Sequence, residues 1–147
     1  MVIFISLLVA ACTLNADQEA SLNNAMFAYI NSRNKGVAMS YVAYTHPIVV
    51  DYYQSLGDSS FTEKFDVLQN DTRYKLNDGT IIETKSEGNS IHVLYSFNLI
   101  TPESNKITKD NVMIIAISDD NGVSWYFMDE DDYSNNQIMD PLHRLIK

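Results

Sequence analysis

The chain of 147 residues is long enough for one domain with one hydrophobic core and too short for two independent catalytic domains. Hydrophobic residues make up 46% and charged residues 20%, a composition that excludes a disordered, collagen-like or disulfide-dense protein. The 10 Lys and Arg against 19 Asp and Glu give a net charge of −9, which repels a phosphate backbone. Nucleic acid is therefore not an expected partner.

The first residues have the pattern of an export signal. Residues 2–11 form an apolar stretch of about half the length that a membrane-spanning helix needs. The stretch leads into Cys12 through Val9-Ala10-Ala11. This ending resembles the lipobox of bacterial lipoproteins, in which an aliphatic residue and two small residues precede the cysteine that is acylated. The alternative is a buried first strand or helix with an inert thiol.

The lipobox resemblance implies that residues 1–11 are a signal peptide, that Cys12 is the lipidation site, and that residues 12–19 are a tether. The protein is then anchored to the membrane of a bacterial cell envelope. Thr13 stands where some lipoproteins carry the Asp that retains them in the inner membrane, so the outer membrane is the expected location. Because Cys12 is the single cysteine, the mature chain has no disulfide, Cys nucleophile or thiolate metal site.

The first half of the remaining chain has helical periodicity. Apolar residues recur at the spacing of one helix face over 17–33, and Lys35-Gly36 has the charge and flexibility of a helix end. Further helices are predicted over 37–44 and 48–54, separated by Thr45-His46-Pro47 because the residue before a proline avoids the helical region. Ser60 and Glu63 have the spacing of a capping box, which predicts a helix over about 61–69.

The second half changes to the alternation of β-strands. Turns at Asp78-Gly79 and Gly88-Asn89 flank a strand over 80–85, and the next strand, over 90–99, places Tyr95 and Phe97 on its apolar face. The polar residues 102–110 predict a loop.

The run 112–117 is apolar on both faces, which predicts a central strand that is covered twice. A sheet-mediated homodimer is one way to cover the second face, with Met113 and Ile115 in the contact. Asn121-Gly122 predicts a hairpin turn before a strand over 124–128, and Asp140-Pro141 predicts a short C-terminal helix.

Helices followed by antiparallel strands predict an α+β fold, with N-terminal helices on a curved antiparallel sheet of about four strands. The segments Tyr41-x-x-Tyr44-Thr-His-Pro47 and Ile115-x-Ile-Ser-Asp-Asp-x-Gly-x-Ser-Trp-Tyr-Phe127 resemble small nuclear-transport-factor-2-like lipoproteins and exported proteins of Bacteroidetes. The resemblance implies a cystatin-like α+β cone over residues 20–147. Because this fold hosts isomerases, dehydratases, transport factors and interaction modules, it implies no single activity.

The histidines and the acidic run predict no metal site and no cofactor. His46, His92 and His143 do not have the spacing of zinc ligands, and His92 lies on the polar face of its strand, where a partly exposed structural role is expected. The run Asp129-Glu-Asp-Asp132, with Asp119-Asp120, lacks the spacing of a calcium loop and indicates a solvated acidic edge. Nucleotide-binding and serine-hydrolase motifs are absent from the sequence.

The aromatic residues are the candidates for ligand binding. Tyr41 and Tyr44 share a helix face, and with Tyr95 and Phe97 from the sheet they are predicted to line the mouth of a pocket. The alternative is that these rings fill the core between helices and sheet.

Two functions follow from these candidates. The favoured function is binding of a small apolar ligand or a protein partner without catalysis. The alternative is an isomerase- or dehydratase-like enzyme that uses a pocket carboxylate and a tyrosine, with Asp51, Glu83 and Tyr41 as the candidate catalytic residues.

Overall fold

The computed structural model describes residues 13–66 and 74–147 as an α+β fold, which confirms the predicted class. Helices come first, a four-stranded antiparallel sheet follows, and two short helices precede a non-helical C-terminal segment. The predicted signal peptide and Cys12 lie outside the described residues. The elements are α1 (Ala16–Lys35), α2 (Ala38–Tyr44), α3 (Pro47–Ser55), α4 (Asp58–Phe65), β1 (Lys75–Glu87), β2 (Ser90–Thr101), β3 (Lys106–Ser118), β4 (Tyr126–Asp129), α5 (Glu130–Ser134) and α6 (Asn136–Met139).

The first helix is capped at both ends. The Asn15 side chain accepts a hydrogen bond from the Gln18 backbone N–H at 2.9 Å, and the Gln18 side chain accepts one from the Asn15 N–H at 3.0 Å. Gly36 ends the helix in the left-handed conformation, at φ 69°. Because α1 begins at Ala16, residues 16–19 of the predicted tether are helical.

The next helices follow the prediction, with one correction. α2 ends at Tyr44 and α3 begins at Pro47, as the Thr45-His46-Pro47 break predicts. α4 begins at Asp58, so the predicted start at residue 61 is wrong. Gly57, at φ 108°, turns the chain into the helix earlier, and Ser60 therefore lies inside the helix and makes no capping box. Residues 67–69 of this predicted helix lie outside the described residues.

The sheet has the order β1-β2-β3-β4, and all neighbouring strands are antiparallel. β1 runs through Asp78-Gly79, so the predicted turn there is wrong. This dipeptide forms a bulge, with Asp78 at φ 54° and a register shift between Asn77 and Thr80. β3 begins at Lys106, and the predicted loop over 102–110 is reduced to 102–105 because the polar residues at the start of β3 pair with β2.

The two faces of the sheet are covered by different parts of the chain. Val93 and Ala116 pair across β2 and β3 on the face under α1, where the Tyr29 ring stacks on Phe127 at 4.6 Å. Alternation places His92 and Ile115 on the opposite face, which α5 and the C-terminal residues cover. The burial of Ile115 therefore has a cause within one chain, and the homodimer remains a prediction. Met113, also on this face, is half-buried.

The C-terminal residues 140–147 are not helical, so the helix predicted from Asp140-Pro141 is wrong. Tyr133 on α5 holds this segment instead: its hydroxyl accepts hydrogen bonds from the backbone N–H groups of Leu145 at 3.0 Å and Ile146 at 3.1 Å. The Arg144 Nε also donates to the Tyr133 carbonyl oxygen at 2.6 Å. Backbone groups that a helix would pair locally are thus paired with a distant residue.

Candidate functional site

A groove of about 380 Å³ lies between α1 and the first two strands. Tyr95 and Phe97 line it from the sheet, with ring centroids 6.0 Å apart and ring planes 26° from parallel. On the helix side, the apolar side chain of Phe27 is 74% exposed. None of the lining residues is charged. They are Asn23, Met26, Phe27, Ile30, Asn31, Asn34, Gly79, Tyr95 and Phe97.

The bulge in β1 makes room for the floor of this groove. A Cβ atom at Gly79 would lie 2.4 Å from Cε1 of Phe97, closer than two carbon atoms approach, so only glycine leaves the ring in its place. Burial raises the pKa of Tyr95 to about 12, and the nearby Glu19 carboxylate adds to the effect, so its phenol is neutral at physiological pH. The floor is therefore aromatic and uncharged.

A partly buried charge cluster of Arg33, Lys64, Asp129 and Asp132 lies on the same face of the sheet. Lys64 Nζ bridges the two carboxylates, at 3.0 Å from Asp129 and 2.7 Å from Asp132. Arg33 Nη1 contacts the other oxygen of Asp129 at 2.8 Å, and the Tyr53 hydroxyl donates to Asp132 at 3.0 Å. Two cations and two carboxylates make the charge cluster neutral overall.

The pKa values of Asp129 and Lys64 oppose a role of these two groups in proton transfer. Burial by itself would raise the pKa of Asp129, but Arg33 and Lys64 outweigh it and lower this pKa to about 2. Burial disfavours the Lys64 cation, yet the neighbouring carboxylates, Asp129 first, raise its pKa. A general base at neutral pH needs a pKa near 7. Asp129 is therefore not suited to act as a general base, and the ion pairs of the charge cluster join α1 and α4 to β4 and α5.

The structure separates the four aromatic residues that were predicted to share a pocket mouth. Tyr95 and Phe97 lie together in the groove. Tyr41 is 3% exposed and packs in the core, with its ring 5.7 Å from Tyr29 and 5.5 Å from Phe65. Tyr44 is half-buried and lines a second groove of about 410 Å³ beside Trp125 and Tyr126.

The candidate catalytic residues lie on different elements. Asp51 is exposed on α3, and Glu83, on β1, contacts Lys85 at 3.2 Å. Burial raises the pKa of Tyr41, which packs 5.3 Å below the Arg33 guanidinium. Within the described residues, no hydrogen bond or ring contact joins Asp51, Glu83 and Tyr41 to one another. The carboxylate–tyrosine pair of the alternative function is not assembled.

His92 is 2% exposed, and the prediction of a partly exposed side chain is therefore wrong. The Tyr133 hydroxyl accepts two backbone N–H groups, so its own hydrogen is donated to His92 Nδ1 at 2.8 Å. Neutral His92 then carries its proton on Nε2, which donates to Ser90 Oγ at 3.3 Å, and Ser90 donates to Asp119 at 3.1 Å. Since His92 donates to Ser90, it cannot serve as its base, and the arrangement is not a nucleophilic site.

His46 also makes a structural hydrogen bond. Its Nδ1 accepts from the Ile48 backbone N–H at 3.3 Å at the start of α3, while Nε2 lies 3.7 Å from Asp119. Burial lowers the pKa of His46, although Asp119 opposes this shift. His46 is therefore a neutral helix cap. The sequence signal for this role was its position directly before Pro47.

The acidic run is divided between surface and interior. Glu130 and Asp131 are exposed, as a solvated acidic edge requires, whereas Asp129 and Asp132 belong to the charge cluster, so the prediction was wrong for these two. Across residues 13–66 and 74–147, no three His, Cys, Asp or Glu side chains are arranged to hold a metal ion. In the same ranges no helix has the length and apolarity to cross a bilayer.

No protein-family model matches the chain, and no curated protein matches it either. The groove, the charge cluster and the buried histidines are therefore the observations on which a functional proposal rests.

Proposed function

We propose that this protein is a non-catalytic binding domain whose groove, between α1 and the first two strands, takes a small apolar ligand or an apolar segment of a protein partner. The observation that carries the proposal is the groove itself: about 380 Å³, an aromatic floor of Tyr95 and Phe97, and no charged lining residue. Its volume falls in the range of roughly 300–1,000 Å³ that is typical of ligand sites.

The finer fold belongs to the same proposal. Helices that cover one face of an antiparallel sheet, and a bulge in the edge strand β1, support a cystatin-like cone of the nuclear-transport-factor-2-like kind. In such a cone, we expect the groove between α1 and β1 to form the opening.

The location in the cell is also proposed. The lipobox-like Val9-Ala10-Ala11-Cys12 supports an acyl anchor at Cys12 in the bacterial envelope, on the outer membrane in preference to the inner. An anchor of this kind leaves the groove free to bind in the aqueous phase next to the membrane.

The isomerase-like alternative has less support. It needs a desolvated carboxylate with a raised pKa in the pocket. Among the described residues, Asp132 is a buried carboxylate and Asp129 a half-buried one. Both are paired with cations, and Asp51 is on the surface. Binding without catalysis requires the uncharged groove but no pocket carboxylate, so it agrees better with the structure.

The experiment is a titration of the unacylated full chain, Cys12→Ala, with the neutral fluorescent probe N-phenyl-1-naphthylamine. Saturable binding is expected, and Phe27→Ser should weaken it about tenfold or more, because burial of one large apolar side chain contributes about 1.5–3 kcal/mol. Met39→Ser is the matched control: Met39 is 86% exposed on α2 and does not line the groove. The absence of saturable binding, or an equal loss in both variants, would refute the proposal.

A further inference from the structure

The helix side of the groove already contains one example of backbone recognition. Near the C-terminal end of α1, the Asn34 side chain donates through Nδ2 to the Leu76 carbonyl oxygen at 3.0 Å. Its Oδ1 accepts from the Leu76 N–H at 2.9 Å. One asparagine thus pairs with both backbone groups of an extended residue, as a neighbouring strand would.

Two further asparagines line the same groove on the same helix. Asn23 and Asn31 lie eight positions apart with Phe27 midway, the i, i+4, i+8 spacing of one helix face. Within the part of the chain that the structure describes, neither side chain makes a hydrogen bond, whereas both hydrogen-bonding atoms of Asn34 are used. Asn23 and Asn31 therefore present free amide donors and acceptors along the groove.

The separation of these two amides matches an extended chain. Eight helical residues advance about 12 Å, at about 1.5 Å per residue. In an extended segment, backbone groups that face one side recur at every second residue, and four residues advance about 13 Å. Asn23 and Asn31 are thus spaced to pair with residues i and i+4 of one segment, above the apolar floor of Tyr95 and Phe97.

We propose that the occupant of the groove is an extended, uncharged peptide segment with an apolar side chain, whose backbone is hydrogen-bonded by Asn23 and Asn31 as Asn34 bonds Leu76. The inference rests on the proposed function, since it names the class of ligand for the same groove. The apolar side chain of the segment packs on Phe97 and Ile30. The uncharged lining favours a segment without charged side chains at these positions.

The experiment selects peptides from a displayed library of random nine-residue sequences on the Cys12→Ala chain, with counter-selection on its Phe27→Ser form. Each selected peptide is then synthesised in two forms, unmodified and with single backbone amides N-methylated, and binding is measured by fluorescence anisotropy. Methylation at a paired amide should lower the affinity about tenfold or more, because it removes a donor and leaves the side chain unchanged.

The matching protein variant is Asn23→Leu with Asn31→Leu. Leucine has nearly the shape of asparagine and a better helix propensity, so the helix is retained while the amides are removed. The peptide should lose about tenfold or more in affinity, whereas naphthylamine binding should stay or increase. Asn24→Leu is the control, because Asn24 is exposed on α1 and lines the second groove.

The outcomes separate the two proposals. The peptide inference is overturned, and the binding groove is left intact, if Phe27→Ser weakens naphthylamine binding but no peptide is selected. The same holds if selected peptides bind equally well with and without N-methylation. Peptide affinity that survives Asn23→Leu with Asn31→Leu would also overturn it. Failure of both probes on the Cys12→Ala chain would overturn the proposed function itself.

Discussion

Acidification should destabilise this fold through His92. The ring is buried between β2 and α5, and its Nδ1 accepts the hydrogen of the Tyr133 hydroxyl. Protonation would place an N–H against an oxygen that already accepts from Leu145 and Ile146. One of these hydrogen bonds must then break, which weakens the attachment of the C-terminal residues.

The size of the effect follows from the pKa. Burial lowers the pKa of His92 from 6.5 to about 4, although Asp119 opposes this shift. Above pH 6.5 the ring is neutral in the folded and the unfolded chain, and its contribution to stability is complete. Between pH 6.5 and about 4 only the unfolded chain binds the proton, so about 1.4 kcal/mol is lost per pH unit and about 3 kcal/mol in total.

Other groups also titrate with folding in the acid range, and His46 shares the pH range of His92. The pKa of His46 is lowered by burial, so it adds to the loss over the same range. Asp129, with its pKa lowered to about 2, loses its stabilising charge only below the ordinary aspartate value of 3.8. The histidine and aspartate contributions therefore fall in successive ranges of pH.

The assay is urea unfolding at several pH values between 7 and 4 for the Cys12→Ala chain and two further variants of it. His92→Gln should have a lower free energy of unfolding at pH 7 than its parent. Its free energy of unfolding should also fall less steeply toward pH 4, and the remaining slope is due to His46. His143→Gln is the control, because its side chain is 77% exposed. If the free energy of unfolding of His92→Gln declines as steeply as that of its parent, the reasoning is wrong.

Three further predictions concern the charge cluster, the anchor and assembly. Lys64→Met should lower the free energy of unfolding by about 3 kcal/mol, because Asp132 is left buried without a cation, and adding Asp132→Asn should restore part of it; a loss below about 1 kcal/mol in urea unfolding would contradict this. Metabolic labelling with palmitate should mark the wild type and not Cys12→Ala, and equal labelling would exclude the anchor. Sedimentation of the Cys12→Ala chain at micromolar concentration should give a homodimer that Met113→Glu dissociates, and a monomeric parent would exclude the sheet contact.

The elements that were predicted correctly have local causes. The length of α1 is set by its apolar face and its capping residues, the break before α3 by Pro47, and β2 by strict alternation. The errors arose where distant contacts outweigh a local signal. Asp78-Gly79 has the composition of a turn, yet strand pairing on both sides makes it a bulge. Asp140-Pro141 has the pattern of a helix start, yet Tyr133 binds the backbone beyond it.

The candidate site was predictable only in part, for the same reason. Tyr95 and Phe97 follow from strand alternation, and the structure places them on one groove floor. The charge cluster takes its members from α1, α4, β4 and α5, and no spacing in the sequence relates Arg33 to Asp129. His92 was placed on the correct, polar face of β2, but its burial depends on α5 and the C-terminal residues that cover this face.

The pairing of Asn34 with Leu76 has a consequence for self-association. β1 is a long edge strand, with Ile81 50% and Ile82 56% exposed, and such a strand is a template on which unrelated chains add and aggregate. Asn34 occupies both backbone groups of Leu76, and the bulge at Asp78-Gly79 interrupts the row of free groups that follows. The first part of this edge is thus closed to strand addition by a side chain of the same molecule, and the backbone of residues 80–87 is the part of the edge on which another chain could add.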